Sequence, residues 1–389
     1  MFATANSCPT LDADRSSHFI AMTTNPNTQP LPVNLHEFEA LAKTGLSRLV
    51  YDYYAGGAND EVLLRTAREA WDAIEIRYRV MRDVSERSLS CTVLGQLLEW
   101  PVMIAPMAFQ QMAHADGERA TAIAANASAT GMILSTLSTS SVEDVCAATK
   151  QPLWFQLYIE KDRGAAMALV ERAERAGCRA LVLTVDTPLL GRRERDLRNQ
   201  FHLPPNMPTP HLKIGRRDAL LENVDTSSAL ATYVATQWDA SISWRDVEWL
   251  RSVTSLPILV KGVVRGDDAL LALKHGAAGV IVSNHGGRQL DTAITTARAL
   301  PEIAQAMNGN GALLVDGGVR RGTDVLKALA LGAHAVLLGR PVLWGLHVGG
   351  TEGVMRVLKL LRDEFDLAMA LAGCRDVTEL TRDLLAIRD

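Results

Sequence analysis

The 389-residue chain contains only five cysteines, and no two of them have the Cys-x-x-Cys spacing typical of zinc sites and redox motifs. They are scattered along the whole length, at Cys8, Cys91, Cys146, Cys178 and Cys374. This distribution argues against a disulfide-rich secreted domain. We therefore expect reduced, mostly buried thiols and no metal site.

The chain also lacks long apolar runs and an excess of positive charge. No apolar run in the sequence approaches the roughly 18 residues that suggest a membrane span. The formal net charge is -4, with both signs interspersed, so there is no basic stripe for nucleic acid. The composition predicts a soluble, cytoplasmic protein that binds neither nucleic acid nor a membrane.

The N-terminal segment is rich in Thr, Asn, Pro and Ser, a composition typical of disorder. It also lacks the charged and then apolar plan of a signal peptide. We predict a disordered leader over residues 1–32 and a single domain over residues 33–389. This domain is expected to begin with an amphipathic helix near Leu35.

Eight short apolar runs have the length and composition of buried strands. They cover residues 101–106, 131–136, 153–158, 180–186, 257–263, 279–285, 312–318 and 335–340. Helix-like stretches separate most of them, including residues 116–130, 163–176, 267–275 and 323–331. Eight alternating units predict an α/β fold, a (β/α)8 TIM barrel with an N-terminal helical segment. An open doubly wound sheet is the alternative, but no Gly-x-Gly-x-x-Gly follows an early strand.

A long insertion follows the fourth predicted strand, at about residues 188–243. It carries a cluster of prolines at Pro204, Pro205, Pro208 and Pro210. The segment is too long for an ordinary connection between a strand and a helix. We predict that it forms a lid over the mouth of the barrel.

The most informative segment is residues 279–291, where an apolar strand ends in His285, two glycines, Arg288 and Asp291. Active sites of parallel barrels are built from the C-terminal ends of the strands. A lone histidine is more often a hydrogen-bonded core residue. The glycines, however, let a ligand approach the backbone, and Arg288 suits a carboxylate or phosphate. We predict that His285 is catalytic.

Strand 4 ends at Asp186, which would converge with His285 at the barrel mouth. A carboxylate bonded to one imidazole nitrogen fixes the tautomer and stabilises the cation formed when the other nitrogen takes a proton. Asp186 is our candidate for this partner, and a local ion pair with Arg192 is the alternative. Arg193 and Arg288 together would clamp a substrate carboxylate through forked hydrogen bonds.

Strands 7 and 8 end in glycines accompanied by arginines. The residues concerned are Asp316, Gly318, Arg320, Gly339 and Arg340. Such ends make an anion cradle where barrels commonly hold a phosphate, whether of a substrate, flavin mononucleotide (FMN) or a nucleotide. Lys261, near the end of strand 5, adds a cation that would form a Schiff base or stabilise a reduced cofactor ring.

Taken together, these segments resemble the FMN-dependent α-hydroxy acid oxidase and dehydrogenase family, which includes glycolate oxidase, lactate oxidase and mandelate-oxidising enzymes. The specific marker is residues 283–291, Ser-Asn-His-Gly-Gly-Arg-Gln-Leu-Asp. Supporting motifs lie at residues 50–58, 105–108, 156–158, 184–188 and 316–320. The resemblance covers the chain from about Leu35 to the C-terminus.

The resemblance implies that FMN lies across the barrel mouth. Residues implied to hold the flavin ring are Pro106, Met107, Ala108, Ser135, Gln156, Thr184 and Lys261. Residues implied to hold the ribityl chain, its junction with the ring, or the phosphate are Ser283, Asp316, Gly318, Arg320, Gly339 and Arg340. The substrate carboxylate would lie between Arg193, Arg288 and the Tyr53 hydroxyl, with Tyr158 near the substrate hydroxyl.

The implied reaction is oxidation of an L-2-hydroxy acid to the 2-oxo acid, that is, an (S)-2-hydroxy-acid oxidase. His285 would take either the α-proton or the hydroxyl proton. Reduced FMN would be reoxidised by O2, giving hydrogen peroxide. The alternatives are a dehydrogenase that passes electrons to a quinone or another acceptor and, in a different class, a non-redox phosphate-binding barrel. The family also implies a homotetramer.

Three positions bear on specificity and on the electron acceptor. Leu137 stands where glycolate-oxidising enzymes carry an aromatic residue, and Met107 replaces a common threonine. This leaves room for a longer or aromatic substituent, in a pocket also lined by Phe109 and Leu190. We therefore expect lactate, a larger aliphatic acid or a mandelate-like acid to be preferred over glycolate. Ala108 favours an oxidase.

Overall fold

The computed structural model describes residues 31–212 and 229–387. Its strands are β1 (Ile74–Ile76), β2 (Cys91–Val93), β3 (Gln96–Leu98), β4 (Val102–Ile104), β5 (Gly131–Ser135), β6 (Leu153–Leu157), β7 (Leu181–Thr184), β8 (Ile258–Val263), β9 (Gly279–Val282), β10 (Ala312–Val315), β11 (Ala335–Leu338) and β12 (Leu385–Ile387). Strands β4 to β11 pair in parallel, and β11 pairs with β4, so the sheet closes. The predicted eight-stranded barrel is confirmed.

Helices surround this barrel and precede it. They are α1 (Leu35–Gly45), α2 (Arg48–Ala55), α3 (Val62–Asp72), α4 (Gly117–Ala127), α5 (Val142–Ala147), α6 (Arg163–Ala176), α7 (Glu194–Arg198), α8 (Ala229–Gln237), α9 (Trp244–Val253), α10 (Gly266–Lys274), α11 (Thr296–Met307), α12 (Gly322–Ala330) and α13 (Arg340–Ala372). Helix α1 begins at the predicted place because the Asn34 side chain accepts a hydrogen bond from the Glu37 amide. No described helix is both long and apolar enough to cross a bilayer.

Seven of the eight barrel strands end earlier than the sequence predicted, and four of these lead into polar residues of the predicted site. The predicted runs extended to Asp186, His285, Gly318 and Arg340, whereas the strands stop at Thr184, Val282, Val315 and Leu338. After β9 and β10 the backbone turns into the left-handed region, with φ of 56° at His285 and 94° at Gly317. Pairing therefore stops just before the polar residues, which turn towards the mouth of the barrel.

The barrel interior is closed at its N-terminal end by the β2–β3 hairpin. Val93 and Leu98 of this hairpin pack into one buried cluster with alternate residues of the barrel strands, including Met103 and Ile281. The indole N–H of Trp154 donates to Gln96 Oε1 at 2.9 Å, which ties the hairpin to β6. In the described part of the chain, the cavity formed by the strand ends lies at the opposite, C-terminal end of the barrel.

The insertion after β7 lies over this mouth in its described part. Four of its residues, Leu190, Arg193, Leu230 and Trp238, line the cavity at the strand ends. The lid itself stays a prediction, and residues 213–228 lie outside the described part. The predicted leader over residues 1–32 also lies outside it, except for its last two residues.

Candidate active site

One cavity occupies the C-terminal mouth of the barrel. Predicted site residues that line it are Tyr53, Pro106, Met107, Ala108, Ser135, Leu137, Gln156, Tyr158, Thr184, Arg193, Lys261, His285, Arg288, Asp316, Gly318, Arg320, Gly339 and Arg340. Of the predicted set, Asp186 and Ser283 are not in the lining. The parallel strands thus bring residues far apart in sequence to one surface.

His285 and Asp186 form a hydrogen-bonded pair at the ends of β9 and β7. The Nδ1–H group of His285 donates to Asp186 Oδ1 at 2.8 Å. The Thr187 hydroxyl donates to the same carboxylate oxygen at 3.0 Å. Because Nδ1 carries the donated proton, Nε2 keeps its lone pair. His285 keeps 20% of its side chain accessible, so Nε2 can serve as a base in the cavity.

Gly262 makes room for this pair. Its φ is 110°, which a residue with a side chain rarely adopts, and a Cβ there would lie 2.6 Å from Asp186 Cβ. Any side chain at position 262 would therefore displace the Asp186 carboxylate. The sequence analysis did not single out this glycine.

The electrostatics of the pair favour a neutral imidazole beside an ionised carboxylate. Burial lowers the pKa of His285, with Lys261 and Arg193 acting in the same direction, and Asp186 opposes this only in part. Burial by itself would raise the pKa of Asp186, but His285 and Lys261 outweigh it and the pKa is lowered. His285 is therefore able to accept a proton at neutral pH.

Lys261 connects the pair to the far side of the cavity. Its ammonium lies 3.0 Å from Asp316 Oδ2 and donates to the Ser283 hydroxyl at 2.7 Å. Ser283 is fully buried and does not line the cavity, and its contact with the cofactor stays a prediction. Its hydroxyl helps to fix the Lys261 ammonium.

Arg193 and Arg288 form a positive wall next to Tyr53. The Arg288 guanidinium lies 5.0 Å from the centre of the Tyr53 ring, and its Nη1 donates to the Tyr53 and Gly56 carbonyls. Arg193 Nη2 donates to Gln289 Oε1 at 3.4 Å. Burial and the neighbouring Arg288 lower the pKa of Arg193 to about 10. An anion bound here would relieve the repulsion between the two guanidinium groups.

A second positive group lies at the ends of β10 and β11. Arg340 donates to the carbonyls of Tyr54, Gly56 and Gly286, which fixes its guanidinium at the mouth. Burial, Arg288 and Arg320 lower the pKa of Arg340 to about 9. The buried charge of Arg340 needs a counterion, and a phosphate bound in the predicted cradle would supply one.

Two buried polar atoms of the lining have no hydrogen-bond partner within the described part of the chain. They are Gln156 Nε2, a donor, and Asp316 Oδ1, an acceptor. Buried amides and carboxylates of this kind are normally satisfied. A polar heterocycle with a polyol chain and a phosphate offers groups of each type, so the residues present fit FMN.

The insertion contributes aromatic side chains to the site that were not predicted from the sequence. The Trp238 ring stacks on Tyr158 with centroids 3.8 Å apart, and Phe201 stacks on Tyr53 at 4.1 Å. Trp238 also lines the cavity, whereas Phe109, expected there, does not. Phe109 is fully buried, and its carbonyl accepts the Tyr54 hydroxyl at 2.6 Å. Trp238 directly follows α8, and the local sequence gives no signal that it reaches the cavity.

Comparison with known proteins agrees with this geometry. The family model for FMN-dependent dehydrogenases matches residues 42–387. An L-lactate oxidase from Nostoc sp. is 52% identical, over 91% of this chain and 98% of the relative. A glycolate oxidase from Spinacia oleracea is 51% identical, over 91% and 95%.

Solved structures give the same result. The crystal structure of mandelate oxidase with (S)-4-hydroxymandelic acid superposes with a TM-score of 0.88 at 40% identity, covering 91% of this chain and 98% of that chain. The resemblance inferred from residues 283–291 is therefore confirmed. The chain belongs to the FMN-dependent dehydrogenase family, and its cofactor is FMN.

Proposed function

We propose that the protein oxidises an L-2-hydroxy acid to the 2-oxo acid, with FMN as cofactor and O2 as electron acceptor, giving hydrogen peroxide. The observation that carries this proposal is that His285, hydrogen-bonded to Asp186 at 2.8 Å, lines one cavity with Arg193 and Arg288. A base beside a carboxylate-binding wall suits a hydroxy acid. The relatives named L-lactate, glycolate and mandelate oxidase support the substrate class and the acceptor.

The substrate is bound by its carboxylate. Arg193 and Arg288 bind and orient it, and the Tyr53 hydroxyl donates to it. Burial raises the pKa of both Tyr53 and Tyr158, so both phenols are protonated donors at neutral pH. Tyr158 would donate to the substrate hydroxyl, which places the reacting carbon near His285.

The proton leaves through His285. Its Nε2 takes one proton from the substrate, and the ionised Asp186 stabilises the imidazolium that forms. When bound, FMN supplies the acceptor for two electrons and the site of reaction with O2. Its ring would be held by Pro106, Met107, Ala108, Ser135, Gln156 and Thr184. Lys261 would supply positive charge beside the ring.

The test is an absorbance spectrum of the purified protein under nitrogen, before and after lactate, mandelate or glycolate is added, and then in air. We expect at least one acid to bleach the flavin band and air to restore it quickly. Bleaching without recovery in air would indicate a dehydrogenase. A band that none of the acids bleaches would contradict the proposed reaction.

Arg288→Lys is expected to raise KM and lower kcat, each by about tenfold, because a point ammonium cannot reproduce a forked donor. Steady-state kinetics with the preferred acid would measure both constants. Arg298→Lys is the matched control, since Arg298 is exposed on α11. Unchanged constants for Arg288→Lys would show that Arg288 does not bind substrate.

Arg320→Gln is expected to weaken FMN binding roughly 10- to 100-fold, the usual effect of losing a hydrogen bond to a charged group. The neighbouring Arg321 provides the control, because it pairs with Glu364 at 2.7 Å and does not line the cavity. FMN release on dialysis, followed by flavin fluorescence, measures the effect. If Arg320→Gln and Arg321→Gln retained FMN equally well, Arg320 would not be a residue that binds the phosphate.

Trp238→Leu is expected to shift the ratio of kcat/KM for mandelate over lactate upwards by about tenfold. The smaller side chain would open space beside Tyr158 and Leu137 for an aromatic substituent. Trp244→Leu is the control, because Trp244 stacks on His275 outside the cavity. An unchanged ratio would show that Trp238 does not contact the substrate side chain.

The proposed homotetramer and cytoplasmic location rest on the family resemblance and on the composition. Light scattering of the purified holoenzyme would measure its mass. A mass of one chain would contradict the tetramer.

A further inference from the structure

Two cysteines meet at the end of the barrel opposite the catalytic cavity. Cys146 lies in α5, and Cys178 follows α6, just before β7. Their Sγ atoms are 3.9 Å apart, and both are free thiols. Both residues precede barrel strands in the chain, which places them at the N-terminal end of the barrel.

The two thiols differ in access. Cys146 is partly exposed and lines a second cavity together with Lys150, Gln151 and Arg179. Cys178 is buried, with 3% of its surface exposed. A small oxidant can therefore reach Cys146 from the solvent, and Cys178 is placed to react with what forms there.

We propose that Cys146 and Cys178 form a peroxide-responsive dithiol, which hydrogen peroxide converts to a disulfide. The Cys146 thiolate attacks one oxygen of the peroxide and breaks the O–O bond, which yields a sulfenic acid and hydroxide, and the hydroxide takes up the proton released by the thiol to give water. The Cys178 sulfur then attacks the sulfenic sulfur, and a second water leaves. The two thiols lose two electrons and the peroxide gains them. The last step needs the sulfur atoms to approach from 3.9 Å to about 2.0 Å.

The greater exposure of Cys146 assigns it the attacking role, and the direction of its pKa shift agrees. The hydrogen bond from Cys178 lowers the pKa of Cys146, against burial and Glu143. The same pairing, together with burial, raises the pKa of Cys178. Burial raises the pKa of Cys91 to about 11 and also raises that of Cys374. Since the thiolate is the reactive form, Cys146 should react first among the described cysteines.

The proposed function gives this pair its source of oxidant, because each turnover with O2 releases one hydrogen peroxide. That link rests on the proposed function, whereas the reactivity of the pair does not. The cross-link would join α5 to the end of α6 and close a loop across 32 residues of sequence separation. Oxidation is therefore expected to raise the thermal unfolding midpoint, and a reductant should reverse the rise.

The experiment treats reduced holoenzyme with added hydrogen peroxide, alkylates the remaining thiols and maps the cysteine peptides by mass spectrometry. We expect a peptide pair linked through Cys146 and Cys178, with a mass two hydrogen atoms below the sum of the two reduced peptides. Cys91 and Cys374 should stay reduced and should be found alkylated. Cys178→Ser should instead accumulate a sulfenic acid at Cys146, which dimedone traps. Cys146→Ser should leave Cys178 alkylated.

A linked peptide in the wild type that both variants lose would support the proposal. The proposal would be overturned if Cys146 remained a free thiol after peroxide treatment. Oxidation of Cys91 as fast as Cys146 would also overturn it, and so would sulfinic acid at Cys146 without a cross-link to Cys178. A parallel sample receives hydroxy acid and air, with and without catalase. If added peroxide links the pair but turnover does not, the failure lies with the proposed oxidase reaction, and the dithiol assignment stands.

Discussion

Replacing His285 with glutamine is expected to leave FMN bound and to slow its reduction by substrate by roughly 100- to 10,000-fold, the usual contribution of a general base. The reason is the position of the imidazole. Its Nδ1–H donates to Asp186, so Nε2 is the ring nitrogen left with a lone pair to take the proton in the proposed reaction. A glutamine amide can occupy similar space but cannot take up the proton.

Stopped-flow absorbance under nitrogen separates this effect from substrate release and from reaction with O2. The matched control is His275→Gln. His275 Nδ1 lies 2.8 Å from Glu248, the same distance as in the catalytic pair, but His275 does not line the cavity. That variant should reduce its flavin at the wild-type rate. Normal anaerobic reduction in His285→Gln would remove the base assignment.

The barrel itself was predictable because its strands are buried on both faces. Such strands read as short continuous apolar runs, and all eight were located from the sequence. Their ends were predicted too far along the chain at Asp186, His285, Gly318 and Arg340. An apolar pattern has no means of showing that pairing stops where the backbone turns at His285 or Gly317. The most useful signal was a polar residue directly after an apolar run, and it still located the residues that line the mouth of the barrel.

The pairing of His285 with Asp186 was also predictable, because the C-terminal ends of parallel strands meet at one surface. The alternative partner for Asp186, Arg192, does not bond to it among the described contacts, and His285 does. Gly262 and Trp238 were not predictable in the same way. The need for glycine at position 262 depends on the approach of β8 to Asp186. The place of Trp238 depends on the path of the insertion, which local sequence does not determine.

The arginines of the cavity fall into two separate groups. Arg193 and Arg288 face the region assigned to substrate, whereas Arg320 and Arg340 face the region assigned to the phosphate. The two carboxylates at the mouth are already engaged, since Asp186 bonds to His285 and Asp316 pairs with Lys261. The arginines therefore remain available for anions that enter from outside.

Asp186→Asn is expected to lower kcat/KM by roughly 100- to 10,000-fold and to change its pH dependence. His285 acts as a base only when neutral, so kcat/KM falls as the pH drops below the pKa of His285. The Asp186 carboxylate raises that pKa, in opposition to burial. Without its charge the pKa falls further, so the acid limb of the profile should move to lower pH. The plateau also falls, because the imidazolium is no longer stabilised.

Thr187→Val separates the charge of Asp186 from its hydrogen bonding. This variant removes the hydroxyl that donates to Asp186 Oδ1 at 3.0 Å but keeps the carboxylate and its pairing with His285. We expect a loss of about tenfold or less and an acid limb close to that of the wild type. Profiles of kcat/KM against pH for both variants decide the matter. An unmoved acid limb in Asp186→Asn would mean that the carboxylate only holds the imidazole in place, whereas a shift to lower pH shows that it also sets the basicity of His285.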